Sequence, residues 1–210
     1  MYRRNPKSSR VKHQFKFASQ KSKNTCFAES ALEFDACFHF EYSSAIVAFE
    51  TQPLGFKYDF EGRTCPYTPD FLLTHSDGTQ KYIEIKPVKE LAKDEFRQRF
   101  EQKQLASKQL GIELILVTDK QIRVFPVLDN LKLLHRYSGF QVLTELHTVV
   151  VGLVKSTGLV KVAQLVNYLK VSAGEVLSIV ARLLCIGQLA TDLTTDALSL
   201  DSVIWASDEQ

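Results

Sequence analysis

One stretch constrains this chain more than any other: Thr68 to Pro87, TPDFLLTHSDGTQKYIEIKP. It reads as two short strands joined by a tight turn at Asp77-Gly78. Asp70 follows Pro69 on the first strand, and Glu84 and Lys86 stand two apart on the second. Side chains alternate faces along a strand, so Glu84 and Lys86 share one face while Ile83 and Ile85 turn to the other, into a core. Two carboxylates and a lysine meeting at one point suit a hard divalent cation beside a phosphate, with the acids as oxygen ligands and the lysine orienting a water.

The turn decides whether they meet. A two-residue Asp77-Gly78 loop is the usual short hairpin connection. It would pair Ser76 with Thr79 and leave Asp70 opposite Ile85, on the wrong face, because a one-residue slip inverts the side chains. A three-residue loop, Ser76-Asp77-Gly78 with Gly78 left-handed, pairs His75 with Thr79 and sets Asp70 against Glu84. The expectation is this loop, or a bulge of the same effect.

The 210 residues suffice for one or two domains, and their apolar content is ordinary for a globular protein. The charge is unevenly spread. Residues 1–24 hold eight Lys or Arg, among them Arg3, Arg4, Lys7, Arg10 and Lys12, and no acid. The remainder carries 18 bases against 24 acids, a net of −6. A basic arm on a mildly acidic body fits contact with nucleic acid, with those five bases as candidate DNA-binding residues; the plainer reading is a basic tail without a specific partner. Cys26, Cys37, Cys65 and Cys185 have no metal-ligand spacing and read as reduced thiols of a cytosolic protein. No signal peptide or membrane-spanning run is apparent.

After the arm, Leu32, Ala36, Cys37 and Phe40 recur at helical spacing, with Glu29 and Glu33 along the edge of their stripe. An acid there is ordinarily a solvated helix face. It gains weight only where the helix packs beside the hairpin. Strands are expected at Ala45–Phe49 and Leu54–Phe60. Between them Gln52 is a turn residue or a ligand-orienting one. A surface helix follows over Lys89–Leu110, ended by Gly111. Ile112–Thr118, an unbroken apolar run, suits a central strand buried on two faces, and Ile122–Val127 a further one. The sum is an α/β fold, a mixed sheet flanked by helices.

From about Leu131 the chain turns helix-rich: Leu131–Tyr137, Val142–Val151, Val160–Lys170 and Ala173–Leu184. Gln188–Leu193 and Leu198–Trp205 then resemble two strands. Three helices and a hairpin describe a mostly helical, winged-helix-like domain with Ala173–Leu184 in the recognition position. The expected division is a basic arm over 1–24, a catalytic domain over 25–130 and the winged-helix-like domain over 131–210. From Phe140 onward there are four bases (Lys155, Lys161, Lys170, Arg182) and seven acids, unlike the clustered basic face of a DNA reader. That charge points to a protein partner.

The order Glu33, Pro69-Asp70, Glu84-Ile85-Lys86 resembles the PD-(D/E)xK nucleases, with their restriction-endonuclease-like fold. Five further runs sharpen the likeness: Ser30-Ala31-Leu32-Glu33, Phe49-Glu50-Thr51-Gln52-Pro53, Thr68-Pro69-Asp70-Phe71-Leu72, Ile85-Lys86-Pro87 and Val117-Thr118-Asp119-Lys120. Together they resemble TnsA, the endonuclease subunit of a heteromeric bacterial transposase, over residues 27 to 128. The resemblance implies a cytoplasmic bacterial enzyme that cuts the 5′ strands of double-stranded DNA at transposon ends. It would work beside a TnsB-type transposase, which handles the 3′ strands, and a TnsC-type AAA+ ATPase. It also implies the catalytic set Glu33, Asp70, Glu84 and Lys86. Asp70, Glu84 and the Ile85 carbonyl would bind Mg²⁺, or Mn²⁺ in its place, with Glu33 joining directly or through water. Two other readings keep the same core: a restriction, repair or Holliday-junction nuclease, and a non-catalytic winged-helix adaptor.

Overall fold

The computed structural model describes residues 2, 14–22, 25–139 and 142–207. The candidate DNA-binding residues Arg3, Arg4, Lys7, Arg10 and Lys12 lie outside the described residues. The chain divides into two compact units, Met1–Arg123 and Val124–Gln210.

The first unit opens with β1 (Phe15–Phe17) paired antiparallel to β2 (Cys26–Ala28). Helix α1 (Ala31–Tyr42) follows, started by Ser30, whose hydroxyl oxygen accepts the Glu33 N–H at 3.2 Å. The helix buries the expected stripe of Leu32, Ala36, Cys37 and Phe40. Strands β3 (Ile46–Thr51), β4 (Phe56–Phe60), β5 (Arg63–Tyr67), β6 (Phe71–His75) and β7 (Gln80–Lys86) come next. The short α2 (Val88–Leu91), the long α3 (Asp94–Gln109), β8 (Glu113–Thr118) and α4 (Asp119–Ile122) complete the unit.

Four strands form one mixed sheet in the order β3-β6-β7-β8. The β3–β6 and β6–β7 pairs are antiparallel, and β7–β8 is parallel, with α3 as the crossover. Strand alternation sorts the core. Phe71 packs its ring 5.0 Å from Phe40 and 6.4 Å from Phe49 on the α1 side. On the opposite side Tyr82 and Leu114 join Phe100 of α3 and the aromatic residues of the separate β4–β5 hairpin. Glu84, two residues beyond Tyr82, comes out on this second side.

Several expectations are corrected. β8 is an edge strand among the described residues, not a central one. Its apolar run contacts α3 and α4, and only Leu114 within the strand is fully buried. The strand expected over Ile122–Val127 does not form. Thr118 instead starts α4 with a reciprocal cap, its hydroxyl and N–H both bonded to Gln121. The helix expected over Lys89–Leu110 breaks at Ala92-Lys93 into α2 and α3. Gly111 ends α3 as expected, at φ +76°. Among the described residues no helix is long and apolar enough to cross a membrane, and none of the four cysteines is in a disulfide.

The second unit holds α5 (Val127–Arg136), α6 (Glu145–Thr157), β9 (Val160–Lys161), α7 (Val162–Leu169), α8 (Ala173–Cys185), β10 (Leu189–Thr191) and β11 (Val203–Ala206). The three strands make an antiparallel sheet ordered β10-β11-β9. Thus the helix expected from Val160 starts two residues later, and the strand expected from Leu198 is confined to Val203–Ala206. The core is aliphatic, built on Val150, Val154, Leu165, Val176, Val180, Leu183 and Ile204. Asn130, 2% exposed, fastens the loop before β11. Its amide donates to the Leu193 and Asp196 carbonyls, each at 2.9 Å, and accepts the Leu198 N–H at 2.8 Å. Asn130→Ala leaves three backbone groups without this partner, the buried Leu198 N–H among them, and should cost about 1–3 kcal/mol, read from the urea midpoint.

Candidate active site

The hairpin register sets the site. Pairs run Phe71↔Ile83, Leu72↔Tyr82, Leu73↔Lys81 and Thr74↔Gln80. The His75 N–H donates to the Thr79 carbonyl at 2.8 Å, which closes a three-residue loop of Ser76, Asp77 and Gly78. Gly78 is left-handed at φ +81°, a conformation that glycine tolerates best. The Asp77 carboxylate fastens the loop by accepting the Thr79 N–H and hydroxyl at 2.9 and 2.7 Å. The same register sets Asp70 against Glu84, as the sequence requires for a shared site.

Asp70 is pinned at its main chain and its side chain. Its N–H donates to the Ile83 carbonyl at 3.0 Å, and its own carbonyl accepts the Gln52 N–H at 2.9 Å. Gln52 makes that contact from a left-handed turn, φ +48°, just before Pro53. The Asp70 Oδ2 accepts the Ile85 N–H at 2.7 Å. Three oxygens then converge on one cation. The Lys86 Nζ lies 3.1 Å from Glu84 Oε1, 3.1 Å from the Ile85 carbonyl and 3.8 Å from Asp70 Oδ2.

Glu33 reaches the cluster's field from the start of α1. Both its oxygens are engaged locally: Oε2 accepts the Glu29 N–H at 2.9 Å and Oε1 the Ser30 hydroxyl at 2.8 Å. It therefore caps the helix, while its charge is felt at Asp70 and Lys86. Burial pushes its carboxyl above the ordinary range, against the pull of its hydrogen bonds and of Lys86.

Two residues at the site carry no sequence motif. Tyr67, at the end of β5, donates its hydroxyl to Glu84 Oε2. Lys103 of α3 brings its Nζ to 3.4 Å from Glu84 Oε1 and 4.0 Å from the centre of the Tyr67 ring. Lys103 sits among charged residues on a helix expected at the surface, so its helical phase toward the sheet is the only signal available. Tyr67 lies in a strand that the sequence pattern does not announce.

The electrostatics reflect burial and crowding. Burial and then the charge of Glu84 push the Asp70 carboxyl up to about 7, with Lys86 pulling the other way. Burial acts against the Lys86 ammonium, but Asp70, Glu84 and Glu33 outweigh it and hold its pKa above the ordinary value. Burial lowers Lys103 despite Glu84. An acid whose folded pKa is raised binds its proton more tightly when folded, so it costs stability as pH climbs from the unfolded value through about 7. Asp70→Asn should therefore melt higher than wild type at pH 8, and the gain should shrink toward pH 4.

The donor set answers what it can hold. Among the described residues, no group of three or more His, Cys, Asp and Glu side chains is disposed around a metal. What does converge is two carboxylates and a main-chain carbonyl, already gathered around a positive charge. Hard oxygen donors of this kind fit Mg²⁺ or Mn²⁺.

Comparison with protein families matches residues 43–119 to the TnsA-like endonuclease N-terminal domain. The matched residues run from before β3 to the start of α4. They include Tyr67, Asp70, Glu84, Ile85, Lys86 and Lys103 and leave out Glu33. A comparison with curated proteins found no match. The hairpin, its acids and its lysine thus lie within residues that match a TnsA-like endonuclease N-terminal domain, a match that supports an endonuclease of the TnsA type.

Proposed function

We propose that the chain is a divalent-metal-dependent DNA endonuclease that cuts the 5′ strands at transposon ends, together with a TnsB-type transposase and a TnsC-type ATPase. The convergence of Asp70, Glu84 and the Ile85 carbonyl on one positive charge, inside a TnsA-like endonuclease domain, carries this reading. These three groups would hold Mg²⁺, which when bound polarises the scissile phosphate and acidifies a coordinated water. Lys86 supplies a charged N–H donor beside the acids, to orient the attacking water or neutralise charge growing on the phosphate. Glu33 fixes the start of α1 and adds negative charge, and would assist the ion directly or through water. Tyr67 and Lys103 hold Glu84 in its rotamer.

The second unit supports a winged-helix reading. Its order of α6, β9, α7, α8, β10 and β11 gives three helices and a three-stranded sheet, with α8 in the recognition position. Its acidic balance favours a protein partner over DNA, and leaves phosphate contact to the basic arm. Replacing Arg3, Arg4, Lys7, Arg10 and Lys12 by Gln should then flatten the slope of log K against log salt by roughly 0.9 per lost phosphate contact. An unchanged slope in fluorescence-anisotropy titrations would remove the arm from the interface.

The deciding experiment is strand-specific cleavage mapping in Mg²⁺ with purified TnsB- and TnsC-type proteins. The expected result is a 5′-strand cut at the transposon end that requires those partners. Cutting of plain duplex by the chain alone would mark a stand-alone restriction, repair or junction nuclease instead. No cleavage under either condition would leave a binding adaptor.

A further inference from the structure

The acid cluster holds two lysines, and they are held differently. The Lys86 side chain is 34% exposed and its Nζ sits among Glu84 Oε1, Asp70 Oδ2 and the Ile85 carbonyl. Solvent lies on one side of it, so the ammonium has somewhere to go. The Lys103 side chain is 13% exposed, with its Nζ over the Tyr67 ring and beside Glu84 Oε1. The Tyr67 hydroxyl holds the other Glu84 oxygen, so lysine, ring and carboxylate form a closed set. A buried ammonium taken from its carboxylate would be left uncompensated, which is costly; this one stays.

The Lys86 ammonium and a divalent cation cannot share these oxygens. Magnesium holds its ligand oxygens at about 2.0–2.1 Å. An ammonium 3.1 Å from two of the same oxygens would lie against the ion. Resting on the cation-binding reading above, we propose that the two lysines divide the counter-ion role. Lys86 is the exchangeable cation, expelled toward solvent when a divalent ion takes the three oxygens. Lys103 is the permanent one, staying on Glu84 throughout. The exchange makes Lys86 a donor free to meet a phosphate only when the acids are otherwise neutralised.

The test uses the full chain and Mn²⁺ alone as the probe. Lysine acylation read by mass spectrometry should show Lys86 labelling rising severalfold at saturating Mn²⁺, with Lys103 protected throughout. In calorimetric titrations Lys86→Met should bind Mn²⁺ more tightly. The gain is about tenfold for an ammonium that occupies the oxygens about nine-tenths of the time, since the apparent affinity scales with the competent fraction. A wild-type chain that binds Mn²⁺ with Lys86 labelling unchanged, or with Lys103 exposed alongside it, overturns the exchange alone. So does Lys86→Met binding no more tightly than wild type. If the wild-type chain takes up no more Mn²⁺ than Asp70→Ala, the cation site itself falls, and the exchange with it.

Discussion

Asp70→Ala should lower DNA cleavage about a thousandfold or more while leaving a folded protein. The magnitude comes from the proposed chemistry. A ligated metal supplies several kcal/mol of charge stabilisation, and each 1.36 kcal/mol is tenfold in rate. Asp70 is the acid whose replacement separates chemistry from folding. Its carboxylate is buried and crowds Glu84, both at a cost in stability, so its loss relieves the native state at neutral pH even as it removes a ligand. The signature is a melting temperature at pH 8 no lower than wild type, combined with absent cleavage in a gel assay with partners and Mg²⁺. Undiminished cleavage would refute the site.

Phe71→Ala should have the opposite character, costing about 3–5 kcal/mol of stability in chemical denaturation. Phe71 is fully buried and stands directly after Asp70. Its ring links Phe40 of α1 to Phe49 of β3, so truncation opens a cavity under the strand that carries the acid. Cleavage should fall as well, because Asp70 takes its position from the same strand end. Phe71→Leu keeps most of the volume and should cost markedly less. Equal losses for Ala and Leu would mean that the ring itself, not the filled space, supports the site.

The legible and illegible parts of the site differ in a physical way. Asp70, Glu84 and Lys86 lie on one hairpin, where period-two alternation and a single loop length determine which side chains meet. Requiring Asp70 and Glu84 to share a face is enough to choose Ser76-Asp77-Gly78 over a two-residue turn. Glu33 is legible as an acid at a helix start, but its spacing from Ser30 is also that of a capping pair, and the structure uses it so. Tyr67 and Lys103 reach Glu84 from separate elements, β5 and α3. No local period links them to the hairpin. Pro66 beside Tyr67 also disguises β5, since proline in a strand is tolerated mainly at edges, and β4–β5 is a two-stranded ribbon. The apolar run of β8 misleads for a related reason: a strand packed against helices looks alike whether or not another strand lies alongside.

The parallel pairing of β7 with β8 makes α3 a length of chain whose phase matters. Each residue added to a helix rotates the segment beyond it by about 100° and advances it about 1.5 Å. One residue inserted between Phe96 and Lys103 would therefore swing the lysine away from Glu84, unless the whole helix rewound against the sheet. An insertion of three or four residues roughly restores the direction but shifts the lysine by about one turn, ~5 Å along the axis. Redesign of this domain must therefore keep the Ser76–Gly78 loop at three residues and is held as tightly in the crossover. There, segment length acts like the tooth count of a gear, fixing which side chain arrives at the acid.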